Sequence, residues 1–211
     1  MEIMVLSTLH QLHGEVSYYT YGHLSQIIES FSPDILAVEL TPADLQERKT
    51  QKVKQEYQYS VYPLLDKLQT KVVPLEPSEP KFSELVQMAK RAQEDLQKRA
   101  PEAMEQFALY VNALYDVLLG WWRSPRDVNS AETDRHFEIK HKYQNALFGE
   151  YERKGWDLWN QHFLEQILAE VTKNTKGRML VLVGAEHSYW LRRRLREQVD
   201  VQYLEAEAVL A

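Results

Sequence analysis

The 211-residue chain is 44% apolar and 27% charged, a balance that suits one folded domain with a sizeable core and excludes a largely disordered chain. A formal net charge of −6 and a pI near 5.7 argue against nucleic acid as a partner. The absence of cysteine removes disulfides, thiolate nucleophiles and cysteine-based zinc sites together.

Met1 to Thr8 lack a basic segment followed by a long apolar stretch, so they read as a strand and not as a signal peptide. No window of about 18 apolar residues predicts a transmembrane helix. A cytoplasmic protein with no membrane contact is the resulting expectation. Residues 3–8 (I-M-V-L-S-T) form a short run suited to a buried strand. Leu24, Ile27, Ile28 and Phe31 recur at helical spacing. Pro33-Asp34 breaks the chain, and Ile35 to Val38 read as a second strand. Thr41 as N-cap, Pro42 at the first helical position and Asp44 in the first turn signal a helix start. Residues 71–75 (K-V-V-P-L) read as a third strand, placed at an edge because of Pro74.

Residues 82–174 show no strand pattern and predict several long helices. Pro101 starts one; Gly120, Ser124 and Pro125 separate a pair; Gly149 and Gly155 interrupt a further region. Residues 179–183 (M-L-V-L-V) are the clearest strand, ended by Gly184. A basic amphipathic helix follows from about residue 188 to 198, and residues 199–204 read as a last strand. The expected fold is α/β: a mixed, largely parallel sheet flanked by helices, with a large helical insertion over 82–174 in a single domain.

In open α/β sheets, ligands bind outside the carboxyl ends of the strands. The first strand delivers His10 there, then His13 and Glu15; the second delivers Glu39; the last clear strand delivers Glu186 and His187. Two imidazoles and a carboxylate on one rim suit a divalent-metal site. They equally suit metal-free general base catalysis, with a carboxylate orienting a histidine. His187 sits just before the predicted last helix, whose N-terminus favours the neutral ring that binds metal or accepts a proton.

Ser7-Thr8-Leu9-His10 resembles the first G-x-x-H motif of the TraB/Tiki/pheromone-shutdown superfamily, with Ser7 in place of the glycine. Glu39 in V-E-L is similar to that family's strand-end glutamate. Gly184-Ala185-Glu186-His187 matches its second G-x-x-H, and Glu152-Arg153 looks like its Glu-Arg pair. The motifs follow the family's order across almost the whole chain. The resemblance implies a fold shared with erythromycin-esterase-like and haem-binding ChaN-like proteins, and metal-dependent peptidase-type hydrolysis as in the Tiki branch.

The function expected is a metal-dependent hydrolase acting on a small molecule or peptide. His10, Glu39 and His187 would hold Mn, Co or Zn; Glu39, Arg153 and Glu186 would be catalytic, with Glu15 as a further supporting acid. The rival is a pocket protein that binds haem or another small ligand without turnover, and a third reading is a degenerate member kept for protein interactions. His136 and His141, five residues apart, read as surface helix positions. His162 reads as a buried structural histidine, Trp121-Trp122 as packing, and Arg192-Arg193-Arg194 as a solvated face. Phosphate-binding glycine loops, the G-x-S-x-G elbow and H-E-x-x-H are all absent from the sequence.

Overall fold

The computed structural model describes residues 1–49, 52–174 and 176–210. Five parallel strands form one sheet: β1 (Glu2–Thr8), β2 (Ile35–Val38), β3 (Lys71–Pro74), β4 (Arg178–Gly184) and β5 (Gln202–Leu204), in the order β3-β2-β4-β1-β5. The expected α/β class holds, and the sheet is parallel throughout instead of mixed. β3 lies at an edge, where Pro74 costs no shared ladder bond. The last strand is only three residues long, and Val199, expected within it, is fully exposed.

Strands buried on both faces explain the uninterrupted aliphatic runs. Met4, Leu6, Leu36, Val38, Leu180 and Leu182 point to one face. There they meet α1 (Tyr21–Phe31), the helix α3 (Tyr62–Leu65) and the end of α5 (Pro101–Trp121). Ile3, Val5, Ala37, Val181 and Val183 point to the other face, against α8 (Glu150–Lys173) and α9 (Ala185–Arg196). Between β2 and β3, the short α2 (Pro42–Glu47) has the expected cap: the Thr41 hydroxyl accepts from the Asp44 N–H.

Between β3 and β4 the described residues hold helices only: α4 (Lys81–Arg99), α5, α6 (Pro125–Val128), α7 (Ala131–Phe148) and α8. Gly149, at φ 89°, separates α7 from α8 as expected. Gly155 does not interrupt anything. It lies inside α8, where a Cβ would come within 3.3 Å of Met88 on α4, so the glycine permits close helix packing. A four-residue helix α10 (Ala206–Val209) ends the described chain.

Residues 48–70 carried no element expectation. There the chain makes a π-helical segment, Tyr57–Val61, continuous with α3. Pro63 has no N–H to give to the carbonyl four residues back, and a π-bulge absorbs such a break. The segment turns Glu56 and Tyr57 inward, and both are fully buried.

Candidate active site at the strand carboxyl ends

Parallel register brings the expected residues to one rim. Thr8 pairs with Gly184, and Val38 with Leu182. His10 lies two residues past β1 and Glu39 one past β2. A Cβ on Gly184 would stand 2.6 Å from His10 Nε2 and 3.5 Å from Glu39 Oε2, so all three converge on one point. His10 itself sits at φ 51°, in the left-handed region that side chains avoid, at the start of a 3-10 turn over His10–Gly14. A non-glycine residue held there is strain of the kind found at functional sites.

His10 Nδ1 donates to Glu56 Oε1 at 2.7 Å, and the Thr8 hydroxyl donates to the same oxygen at 3.1 Å. Burial works against a charge on His10, but the hydrogen bond and charge of Glu56, with Glu39, outweigh it. The pKa of His10 is raised above 6.5.

His187 behaves in the opposite way. α9 begins at Ala185, three residues earlier than expected, so His187 lies within its first turn. Its Nδ1 is 2.9 Å from Asn160 Oδ1, while the Asn160 amide nitrogen donates to the Trp156 carbonyl. That second bond fixes the amide orientation, so His187 donates through Nδ1 and carries its lone pair on Nε2. The ring stacks on Trp156 at 4.5 Å between centroids. Burial pushes its pKa down to about 4 against the pull of Glu39, with His141 and Lys54 adding to the fall. His10 and His187 both line a cavity of about 220 Å³, walled by Tyr115, Trp122, Phe137 and Glu186.

Glu39 is buried and ionised. Burial alone would raise its pKa, but Lys54, His187, His10 and the Gly184 N–H bring it down to about 2. Its Oε2 accepts from Gly184 N at 2.6 Å, and its Oε1 lies 3.0 Å from the Lys54 ammonium. Lys54 also donates to Glu76 at 2.6 Å. Burial and the Glu39 charge raise Glu76 to about 7 despite that contact.

Glu186 reaches the cavity wall as expected, but in a neutralising cage. Tyr115 donates to it at 2.8 Å and Lys140 at 2.7 Å, with His141 Nε2 at 3.2 Å. Its pKa is lowered, because these partners overcome the effect of burial. His141 is therefore buried behind the site and not on a helix surface.

The other expected site residues lie elsewhere. Arg153 is exposed on the outer side of α8, in a surface recess with Glu150 and Arg194, and is absent from the walls of the cavity. Glu15 is exposed. Both ring nitrogens of His13 are used within its own turn: Leu9 N donates to Nε2 at 2.9 Å, and Nδ1 donates to the Tyr19 carbonyl at 2.6 Å. It staples the loop that carries His10. Arg192 leaves the solvated face expected of it and is buried, bonded to Asp134, Asn129 and Ser7. Trp122 packs in the core while Trp121 is exposed, and His162 is only partly buried, beside Lys81.

The expected metal set needs correction. Among the described residues no three histidine or acidic side chains are grouped to hold a metal ion. Both Glu39 oxygens are engaged, one by the Lys54 ammonium and the other by the Gly184 N–H. These donors do not fit a divalent cation.

Glu56, Lys54, Asn160 and Tyr115 escaped the sequence reading. Pro63 inside an otherwise helical run is the one signal that pointed to the π segment behind Glu56. Asn160 carried none. Among the described residues no helix is long and apolar enough to cross a membrane. The fold and site define an open parallel α/β protein with a pocket at its strand ends that holds two histidines and a glutamate among apolar and aromatic walls. Comparison with protein-family models, curated proteins and solved structures finds no match for the chain.

Proposed function

We propose that the chain is a hydrolase that cleaves a small ester or amide, a short peptide included, by general acid–base catalysis. One observation carries this reading: two imidazoles line one cavity in opposed surroundings, His187 stacked on Trp156 and pushed down to about 4 by burial, His10 bonded to Glu56 and raised above its ordinary value by that partner. Environments that push two titratable groups apart assign the base and the acid.

The roles follow from the atoms. His187 Nε2 takes a proton from water as the water oxygen attacks the substrate carbonyl carbon. Glu39 stabilises the imidazolium that forms. His10 Nε2–H gives its proton to the leaving oxygen or nitrogen as the bond to carbon breaks. One water is consumed, one acyl bond is lost, and solvent resets the two rings. Asn160 and Glu56 hold the two rings in the required tautomers.

The order of motifs that resembles the TraB/Tiki superfamily supports a site at this rim. The donor set does not support its metal chemistry, so no step is routed through a metal. A cavity of about 220 Å³ lies below the roughly 300–1,000 Å³ of drug-sized ligand sites, which weighs against haem.

The test is hydrolysis of a panel of small esters, amides and dipeptides before and after treatment with a chelator. Activity should survive chelation and fall by about 10²–10⁴-fold in His187→Ala and in His10→Ala. Activity lost to chelator and restored by Mn, Co or Zn would return the site to metal catalysis. No turnover of any member would favour a binding pocket.

A further inference from the structure

A second recess of about 180 Å³ opens beside the first and shares His187 with it. Its walls are Leu85 and Ala89 from α4 and Gly155, Trp156 and Trp159 from α8. The indole of Trp156 stacks on the imidazole of His187, so the recess begins where the proposed base ends. Ala89 leaves space between the helices that a longer side chain would fill, while Gly155 lets Met88 of α4 pack close beside the recess. Phe82 meets Trp159 edge-on at 5.6 Å, steadying one wall.

From this we infer a specificity subsite: the slot between α4 and α8 binds a neutral aromatic ring of the substrate, attached next to the carbonyl carbon that the water activated by His187 attacks. The inference rests on the hydrolase reading given above. Its chemistry is set by the walls. They are almost wholly apolar; Trp156, held between the rings of His187 and His141, offers the slot a rigid edge, and Trp159 adds a second aromatic wall. The volume matches one six-membered ring, since an apolar cavity of roughly 150 Å³ holds benzene. The acid at the margin is Glu152, which already accepts from Gln144 and repels an anionic substituent. A phenyl-bearing acyl group would fit where a carboxylate-bearing chain would not. Ala89 becomes a specificity determinant that touches neither the water nor the leaving group.

The slot can be tested without turnover, because Trp156 and Trp159 report on it directly. Benzene, and indole as a larger ring, are titrated into the full chain while the indole N–H resonances are followed by NMR. Saturable benzene binding that shifts the Trp156 and Trp159 signals is expected. Ala89→Phe should weaken it by about tenfold or more, and Ala89→Gly should admit indole better than the parent does. Both variants are checked for the parent's circular dichroism and melting temperature. No saturable binding to the parent, or binding indifferent to both substitutions in folded protein, overturns the subsite. Esters of phenylacetic and acetic acid separate this from the wider reading. Benzene binding with neither ester hydrolysed sinks the hydrolase and leaves the subsite. Hydrolysis with no preference for the phenyl ester, in a protein that binds no benzene, does the reverse.

Discussion

His10 and Glu56, 46 residues apart, are joined by a 2.7 Å hydrogen bond that fixes which nitrogen of the imidazole faces the cavity. Glu56 is fully buried, and its Oε1 accepts from both the ring and the Thr8 hydroxyl. The pairing raises the pKa of His10 in the folded chain. Its stabilisation is complete below the unfolded value near 6.5 and is lost as pH rises through the folded value. Glu56→Gln keeps the shape and removes the charge. The His10 midpoint should fall, and the variant should lose about 1.5–3 kcal/mol at pH 6 and visibly less at pH 9. Urea denaturation at the two pH values measures this; an equal loss at both would mean that the pair carries no proton-linked stability.

Gly184 is required by the site and not by its own backbone. At φ −54° any residue could adopt its conformation. The obstacle is that a Cβ meets His10 Nε2 at 2.6 Å, and His10 cannot retreat without releasing Glu56. Gly184→Ala should cost about 1–3 kcal/mol and disturb the His10 titration. A variant with parent stability and an unchanged His10 midpoint would contradict the convergence of the three strand ends.

Much of the fold was legible in the sequence because buried parallel strands write themselves as aliphatic runs. Ile3 to Thr8, Ile35 to Val38 and Met179 to Val183 all fall where expected. The rim positions of His10, Glu39 and His187 followed from strand ends alone. What escaped came from elsewhere in the fold. Glu56 is set by a π segment, Asn160 by the rotation of a helix, and Lys54 by a loop, none of which has a period. Arg153 was placed by motif order, but on α8 the buried residues Glu152, Gly155 and Asn160 define the inner face, and Arg153 lies off it. The surroundings of Glu39 were not legible for a reason of charge: Lys54, invisible as a partner in sequence, already pairs with it.

Lys54 holds two buried carboxylates together, and removing it leaves them facing each other without a cation. Lys54→Met should destabilise the chain by about 3–5 kcal/mol. The loss should shrink as pH falls, because one of the two acids can then take up a proton. Thermal melts at pH 5 and pH 8 distinguish this from simple loss of packing, which would be equal at both.

Glu76 supplies the complementary test. Its pKa rises from an ordinary 4.5 to about 7, so between those values the folded chain binds the extra proton and stability falls as pH rises. Glu39 works in the opposite sense and lower down, adding stability as pH rises from about 2 to 4.5. Glu76→Gln should therefore remove a decline between pH 4.5 and 7 and leave the acid limb below 4.5 in place. A parent and variant with parallel stability profiles across that window would show that Glu76 is ionised throughout.

The opposed protonation of the two rim histidines is the claim on which the catalytic reading stands, and an NMR titration with nitrogen-15 labelled imidazoles reads it directly. At pH 5.5 His187 should be neutral, with its proton on Nδ1 and an unprotonated Nε2, and should take up a second proton only near pH 4. At the same pH His10 should be an imidazolium, losing its proton only above 6.5. His187→Ala and His10→Ala assign the two signals. A charged His187 at pH 5.5, or a neutral His10 beside it, would contradict the account.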